Sequence, residues 1–307
     1  MLDVWGPPGA TGLDRAAGRR GRRSIDIRPV TSVHAMSITV RPDAAFVPDA
    51  GGVCRATALT RGPWDPSHQH AGPPIALACR AIEQAAAPHG LTHVGRLTAN
   101  LLRPVPIGPL RIEVTPDYVG RSAAHFSARV IAGDRDCARL TALMLREHDV
   151  PVPAGTPGHP LPAPPVSWQE SATVAMPFAR PDQHGYADLV ENRSPEPRIF
   201  AGPCRVWFRL RHPLVRGEAP SAYQRVMVAA DSGNGVSAAL DIQRYTFVNS
   251  DLTVNLLRRP QGEWICLDAR TELGGNGCGL AESALYDEAG LIGRATQSLV
   301  VRERSAA

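Results

Sequence analysis

Residues 97–103 read Leu-Thr-Ala-Asn-Leu-Leu-Arg and residues 252–258 read Leu-Thr-Val-Asn-Leu-Leu-Arg, six of seven letters repeated at a spacing of 155 in a chain of 307. Two looser echoes keep the same order. Ala71-Gly-Pro-Pro-Ile-Ala-Leu77 is echoed by Asn234-Gly-Val-Ser-Ala-Ala-Leu240, and Ala138-Arg-Leu-Thr-Ala142 by Gly293-Arg-Ala-Thr-Gln297. Three collinear echoes imply duplication of a unit of roughly 110–130 residues, a size that can bury its own core. A chain built this way must fold as two similar halves.

Composition narrows the class. With 43% hydrophobic and 20% charged residues the chain is an ordinary globular one. It holds no apolar run of the roughly 18–20 residues that a bilayer-spanning helix needs. All 33 basic residues are arginine, which codon bias explains without any selective role. The net charge of +4 is concentrated in the first 35 residues, where Arg15, Arg19, Arg20, Arg22, Arg23 and Arg28 outnumber Asp3, Asp14 and Asp26. The near-neutral remainder gives no reason to expect nucleic-acid binding. Six cysteines lie far apart, without a CxxC or a zinc-finger spacing of histidines. They read as reduced core thiols of a cytoplasmic protein, with no metal site and no cofactor.

Four segments follow from the punctuation. Residues 1–36 show no apolar period and read as a disordered basic tail, with Met36 as an alternative start. Residues 37–150 form the first unit. Gly72-Pro73-Pro74 opens a helix that Pro88-His89-Gly90 ends, because proline is tolerated in the first helical turn and cannot continue a helix later. That helix is apolar nearly all round, so other structure must wrap it. Strands follow at 96–103, 110–119, 123–132 and 137–146, and their short turns imply an antiparallel meander. Residues 151–203 are a proline-rich linker followed by an irregular stretch. Residues 204–307 form the second unit, with a strand from Cys204, a helix over 223–242 and strands near 246–257, 263–273, 279–287 and 291–302.

One buried helix wrapped by a curled antiparallel sheet, twice, is an α+β double hot-dog. With Gly72-Pro-Pro-Ile-Ala-Leu-Ala-Cys-Arg-Ala-Ile-Glu83, Leu101-Leu-Arg-Pro104 and Gly293-Arg-Ala-Thr-Gln297, the chain resembles the acyl-CoA thioesterases of the thioesterase II (TesB) type over about residues 45–303. The resemblance implies hydrolysis of fatty acyl-CoA to free acid and CoA without a covalent enzyme intermediate. It also implies a site in the second unit, where an aspartate on the helix, a hydroxyl on the next strand and a glutamine on the last strand hold the attacking water. Carried onto this chain, those positions are Asp231, Asn249 and Gln297. Asn249 departs from the family pattern, since an amide stands where a hydroxyl is usual.

These residue types suit the chemistry. A carboxylate beside an apolar helix can act as general base, and an amide such as Gln297 or Asn249 can orient water by both donating and accepting. Ser250, one residue on, should point to the opposite face of its strand. Backbone N–H groups at a glycine-rich helix start can polarise a thioester carbonyl, and Gly72 and Gly235 offer two such starts. His70, just before the first helix, is a candidate pocket residue; at a spacing of 163, His68 aligns with Asp231. Trp64 either covers the pocket mouth or packs in the core. The other assignments also have plainer alternatives: Asp231 as a helix or turn cap, Gln297 as a solvent-side strand residue, His70 in a surface turn.

Two other functions compete. A degenerate site would leave a non-catalytic acyl-CoA or acyl-thioester binding protein. An enoyl-CoA hydratase would need an Asp and a His a few residues apart on a loop, and no such pair stands beside Asp231 in the sequence. The expected partners are an acyl-CoA substrate and a second copy of the chain, giving a homo-oligomer (a dimer of double hot-dogs). No nucleic acid and no membrane span are expected.

Overall fold

The duplicated heptapeptide lies on two strands that face each other. In the computed structural model, which describes residues 42–304, β1 is Phe46–Pro48, β2 Val53–Ala56, α1 Gly72–Ala86, β3 His93–Leu101, β4 Pro109–Val119, β5 Ala123–Ala132 and β6 Arg135–Leu145. Then come β7 Ala172–Thr173, α2 Tyr186–Leu189, β8 Val190–Ser194, β9 Cys204–Leu210, α3 Ala222–Ala230 and α4 Gly233–Val236. The last strands are β10 Tyr245–Asn249, β11 Asp251–Leu256, β12 Ile265–Leu273, β13 Cys278–Asp287 and β14 Gly290–Glu303. The expected tail over 1–36 lies outside the described residues.

One sheet runs β1-β2-β4-β5-β6-β3-β11-β14-β13-β12-β9-β8-β7, with β10 also paired to β14. Every pairing between these strands is antiparallel. The order β4-β5-β6-β3 is mirrored by β11-β14-β13-β12, so the two halves meet at the β3–β11 seam. There Thr98 pairs with Thr253, the same position of the two copies, and their hydroxyls lie 3.2 Å apart. A pseudo-two-fold axis therefore passes between these two threonines, as it would at the interface of a homodimer of single units. Strand alternation sends Leu97, Ala99, Leu252 and Val254 to the other face, where all four are fully buried. Complete burial of a leucine or valine is worth about 1.5–3 kcal/mol, enough to fix the register.

The helices pack on that buried face, α1 against β3 to β6 and α3 against β9, β11 and β12. They run antiparallel across the pseudo-axis. Gly72 at the start of α1 lies under the Val228 carbonyl of α3, while Glu83 near its end accepts hydrogen bonds from Ser221 and Gln224 at the start of α3. This is the double hot-dog architecture.

The structure differs from expectation in the second helix. It starts at Ala222, capped by Ser221, breaks after Ala230 and ends at Val236 rather than continuing to 242. Glycines at 233 and 235 weaken helix propagation there. Helix starts at Gly72 and Ala222 are 150 apart (222 − 72), so the echo at 163 marks no structural equivalence. Gly235 is the third residue of α4, not a helix start, and His68 is not the counterpart of Asp231. The segment 151–203 also contains more order than its prolines suggest: Val190–Ser194 adds a strand beside β9. Upstream of it, Val166 accepts a hydrogen bond from the Trp207 indole, and Trp168 stacks on Trp264 at 5.1 Å. Of the cysteines, Cys79, Cys137, Cys204 and Cys266 are buried thiols, Cys54 is half-buried and Cys278 is exposed.

Candidate functional site

The break between α3 and α4 places Asp231 at the end of a buried helix, with its side chain 4% exposed. Three elements distant in sequence reach its carboxylate. Asn249, at the end of β10, donates from Nδ2 to Oδ1 at 2.9 Å. Gln297, on β14 and 2% exposed, donates from Nε2 to the Asp231 carbonyl at 3.1 Å and to Oδ1 at 3.3 Å. His70, from the loop before α1, brings Nδ1 to 2.9 Å from Oδ2. The carboxylate is held by side chains, so Asp231 is no mere turn cap; Gln297 faces the core and not solvent.

Local backbone explains this convergence. β14 pairs with β11 over its first part and with β10 over its second, and the chain crosses between them at Ser250. Phe247 and Asn249 turn inward, whereas Ser250 is exposed and bonds the Ser298 carbonyl. Gly233 is required for close approach: a Cβ there would lie 2.8 Å from Ser283 Oγ and 3.2 Å from Gln297 Oε1. Gln297 Oε1 in turn accepts the Asn234 N–H at 2.8 Å.

Protons can be counted. Both hydrogens of the Gln297 amide point at Asp231, and those of Asn249 go to Asp231 Oδ1 and the Asp251 carbonyl. An ionised carboxylate only accepts, so His70 must donate its Nδ1–H to Oδ2. The Gly72 N–H, 3.2 Å from the same nitrogen, then finds no lone pair there and is left for another acceptor. Asp231 Oδ2, Gln297 Oε1 and Asn249 Oδ1 keep acceptor capacity, which is what a held water needs.

A cleft of about 600 Å³ is lined by Phe247 and Tyr186, which border the site, and not by Asp231, Asn249, Gln297 or His70 themselves. Its aromatic walls are Trp64, Phe178, Phe200 and Phe247, and Arg61, Arg180 and Arg304 bring positive charge. Trp64 is 41% exposed and packs edge-on against Phe247 at 5.6 Å, so it borders the cleft and does not belong to the core. Of the residues singled out in the sequence, Asp231, Asn249, Gln297, His70 and Gly72 come together. Gly235 stands apart against the Phe200 ring. The reason for setting the hydratase aside also changes, because an Asp–His pair exists after all, formed across the two halves from residues 70 and 231. Among the described residues, no cluster of His, Cys, Asp and Glu could hold a metal ion, and no helix is long and apolar enough to cross a membrane.

Sequence reasoning missed Tyr186 and Asn234. Tyr186 stacks on the His70 ring with centroids 3.8 Å apart and planes 5° from parallel. Asn234 donates one amide hydrogen to the Phe247 carbonyl at 2.9 Å and leaves Oδ1 buried without a partner. Asn234 opens one of the three echoes but its letter has no counterpart role there, and Tyr186 lies in the polar stretch 180–188 with no repeat or motif to mark it.

Residues 60–145 match the family model for the acyl-CoA thioesterase N-terminal domain and residues 163–301 that for the C-terminal domain, together more than half of the chain. No curated protein matches the chain in sequence. The TesB protein of Mycobacterium avium subsp. paratuberculosis is similar in fold, with a TM-score of 0.59, 17% identity and coverage of 81% of this chain and 92% of that one. Acyl-CoA thioesterase II TesB2 of Mycobacterium marinum superposes with a TM-score of 0.54 at 16% identity, covering 83% and 94%. A hot-dog protein of unknown function from Alicyclobacillus acidocaldarius gives 0.61 at 17% identity, covering 86% and 98%.

Proposed function

Because the chain belongs to the acyl-CoA thioesterase family and is a thioester hydrolase, we propose that it hydrolyses fatty acyl-CoA by general-base activation of water at Asp231. The observation that carries this reading is the buried Asp231 carboxylate, fixed by Asn249, Gln297 and His70 while part of Oδ2 stays free. The aromatic cleft receives the acyl-CoA, and its arginines complement the phosphates of the CoA portion.

In the reaction, water held by Asp231 Oδ2 attacks the thioester carbonyl carbon as the carboxylate takes one of its protons. The oxyanion so formed is met by the Gly72 N–H. Collapse of the tetrahedral intermediate breaks the C–S bond. The acid leaves with the new C–O bond, and the thiolate of CoA takes up the proton. A thiolate is a good leaving group, so little acid assistance is needed. The amide of Asn249 serves here as the donor that a hydroxyl supplies elsewhere in the family.

Thiol release from short-, medium- and long-chain acyl-CoA tests this reading. Asp231→Asn should lower kcat by at least about 100-fold, with acyl-CoA binding retained. Absence of thiol release from every chain length, with binding intact, would identify a non-catalytic binding protein. The His70–Asp231 pair supports a second reading as a hydratase. Conversion of crotonyl-CoA without thiol release would establish that reading in place of the first.

A further inference from the structure

We propose that Tyr186 is a positioning residue of this site, holding His70 and the end of α3 together so that the imidazole keeps its hydrogen bond to Asp231. The inference rests on the hydrolytic reading above for its consequence on turnover, and on geometry alone for the hydrogen bond.

Tyr186 opens α2 and is 1% exposed. Its ring lies flat on the His70 imidazole, which leaves that side of the histidine no room to tilt. Its hydroxyl lies 2.8 Å from the Val228 carbonyl and 2.9 Å from Ser232 Oγ. The single phenolic proton goes to the carbonyl, so the Ser232 hydroxyl donates to the phenol oxygen. Burial drives the phenol pKa upward, which keeps that proton in place at any working pH.

The carbonyl bond matters because α3 stops here. In a continuing helix the Val228 carbonyl would accept the N–H of Ser232. That N–H bonds the Ala229 carbonyl instead, and the Tyr186 hydroxyl supplies the missing donor. Asp231 lies between the two groups that the phenol touches, so the same side chain sets both the aspartate backbone and the histidine plane.

The backbone of Tyr186 completes the clamp. Its N–H donates to the Arg61 carbonyl at 2.9 Å, and the Arg61 guanidinium returns a bond to the His184 carbonyl. Arg61 begins the short hairpin that ends at His70, closed by Gly62 N–H to the His68 carbonyl and by His70 N–H to the Thr60 carbonyl. One half of the molecule thus contributes His70, the other contributes Asp231, and residues 184–186 are bonded to both.

Two variants separate positioning from mere packing. Tyr186→Phe keeps the stacked ring and loses the hydroxyl; Tyr186→Leu loses both. Displacing a reacting group by about 1 Å can cost about 100-fold in rate. Tyr186→Leu should therefore lower kcat by about 100-fold with KM within about twofold of wild type. Tyr186→Phe should recover turnover to within about tenfold of wild type. Proton NMR gives a readout without turnover: the hydrogen-bonded Nδ1–H of His70, assigned by its loss in His70→Gln, should be present in wild type and Tyr186→Phe and absent in Tyr186→Leu. Persistence of that resonance in Tyr186→Leu, or a folded Tyr186→Leu with kcat near wild type, overturns the proposal. If wild type releases no thiol, the hydrolytic reading fails, and the NMR comparison still decides the role of Tyr186.

Discussion

Arg103 and Arg258 close the two copies of the heptapeptide, and they brace equivalent hairpins, β5–β6 and β13–β14. Arg103 donates to the Asp136 carbonyl at 2.6 Å. Arg258 makes two 2.6 Å bonds to the fully buried Asp287 carboxylate and a third to the Gly290 carbonyl. The same letter therefore carries different energies. Arg258→Met leaves the buried Asp287 carboxylate without its charged partner, held only by the N–H groups of Gln261, Ala289 and Gly290. It should cost roughly 3 kcal/mol in urea unfolding, whereas Arg103→Met should cost roughly 1.5 kcal/mol. Equal losses would show that the Asp287 environment is not what distinguishes them. Glu83 gives a pH-dependent case. Its pKa is raised chiefly by burial, against the hydrogen bonds from Gln224 and Ser221. A carboxyl with a raised folded pKa binds protons more tightly in the fold, so stability falls as pH rises from the unfolded value through the folded one. Glu83→Gln should remove that fall, and its Tm advantage over wild type should grow as pH increases above about 4.3. An advantage that shrinks over the same range would reverse the assignment.

At the scale of elements, α1 and the β4–β6 meander were legible because local rules decide them. Proline at a helix start, glycine at its end and alternating strands between short turns need no partner to be recognised. Gly233 and Gly235 weaken the helix locally, but the position of the α3–α4 break was not legible, because it depends on contact with β13 and β14. Gly233 gives way there to Ser283 and Gln297. Gly233→Ala should displace the Gln297 amide from Asn234 and lower kcat by about tenfold or more, and adding Ser283→Ala should restore part of the loss. No interaction between the two substitutions in a double-mutant cycle would place the effect elsewhere. Asn249 illustrates the same division: its position two residues before Asp251 was readable, but its inward direction follows from the way β10 and β11 share β14.

For the molecule as a whole, the β3–β11 seam makes one sheet from two copies. The chain should unfold in a single transition, with far-UV circular dichroism and tryptophan fluorescence coincident, since neither half can expose its seam strand without loss to the other. Two separated transitions would mean that the halves are independently stable. The sequence by itself determined the duplication, the two buried helices, the meander and Gln297 as a polar residue in only one copy, opposite Ala142. Each of these is a local pattern or a comparison of letters. Tertiary structure alone decided that Thr98 faces Thr253, that His70 of one half meets Asp231 of the other, and that Tyr186 clamps the pair. Those contacts join residues more than 40 positions apart, and no propensity or period records which distant strand, loop or helix end a side chain will meet when two halves close around a shared axis.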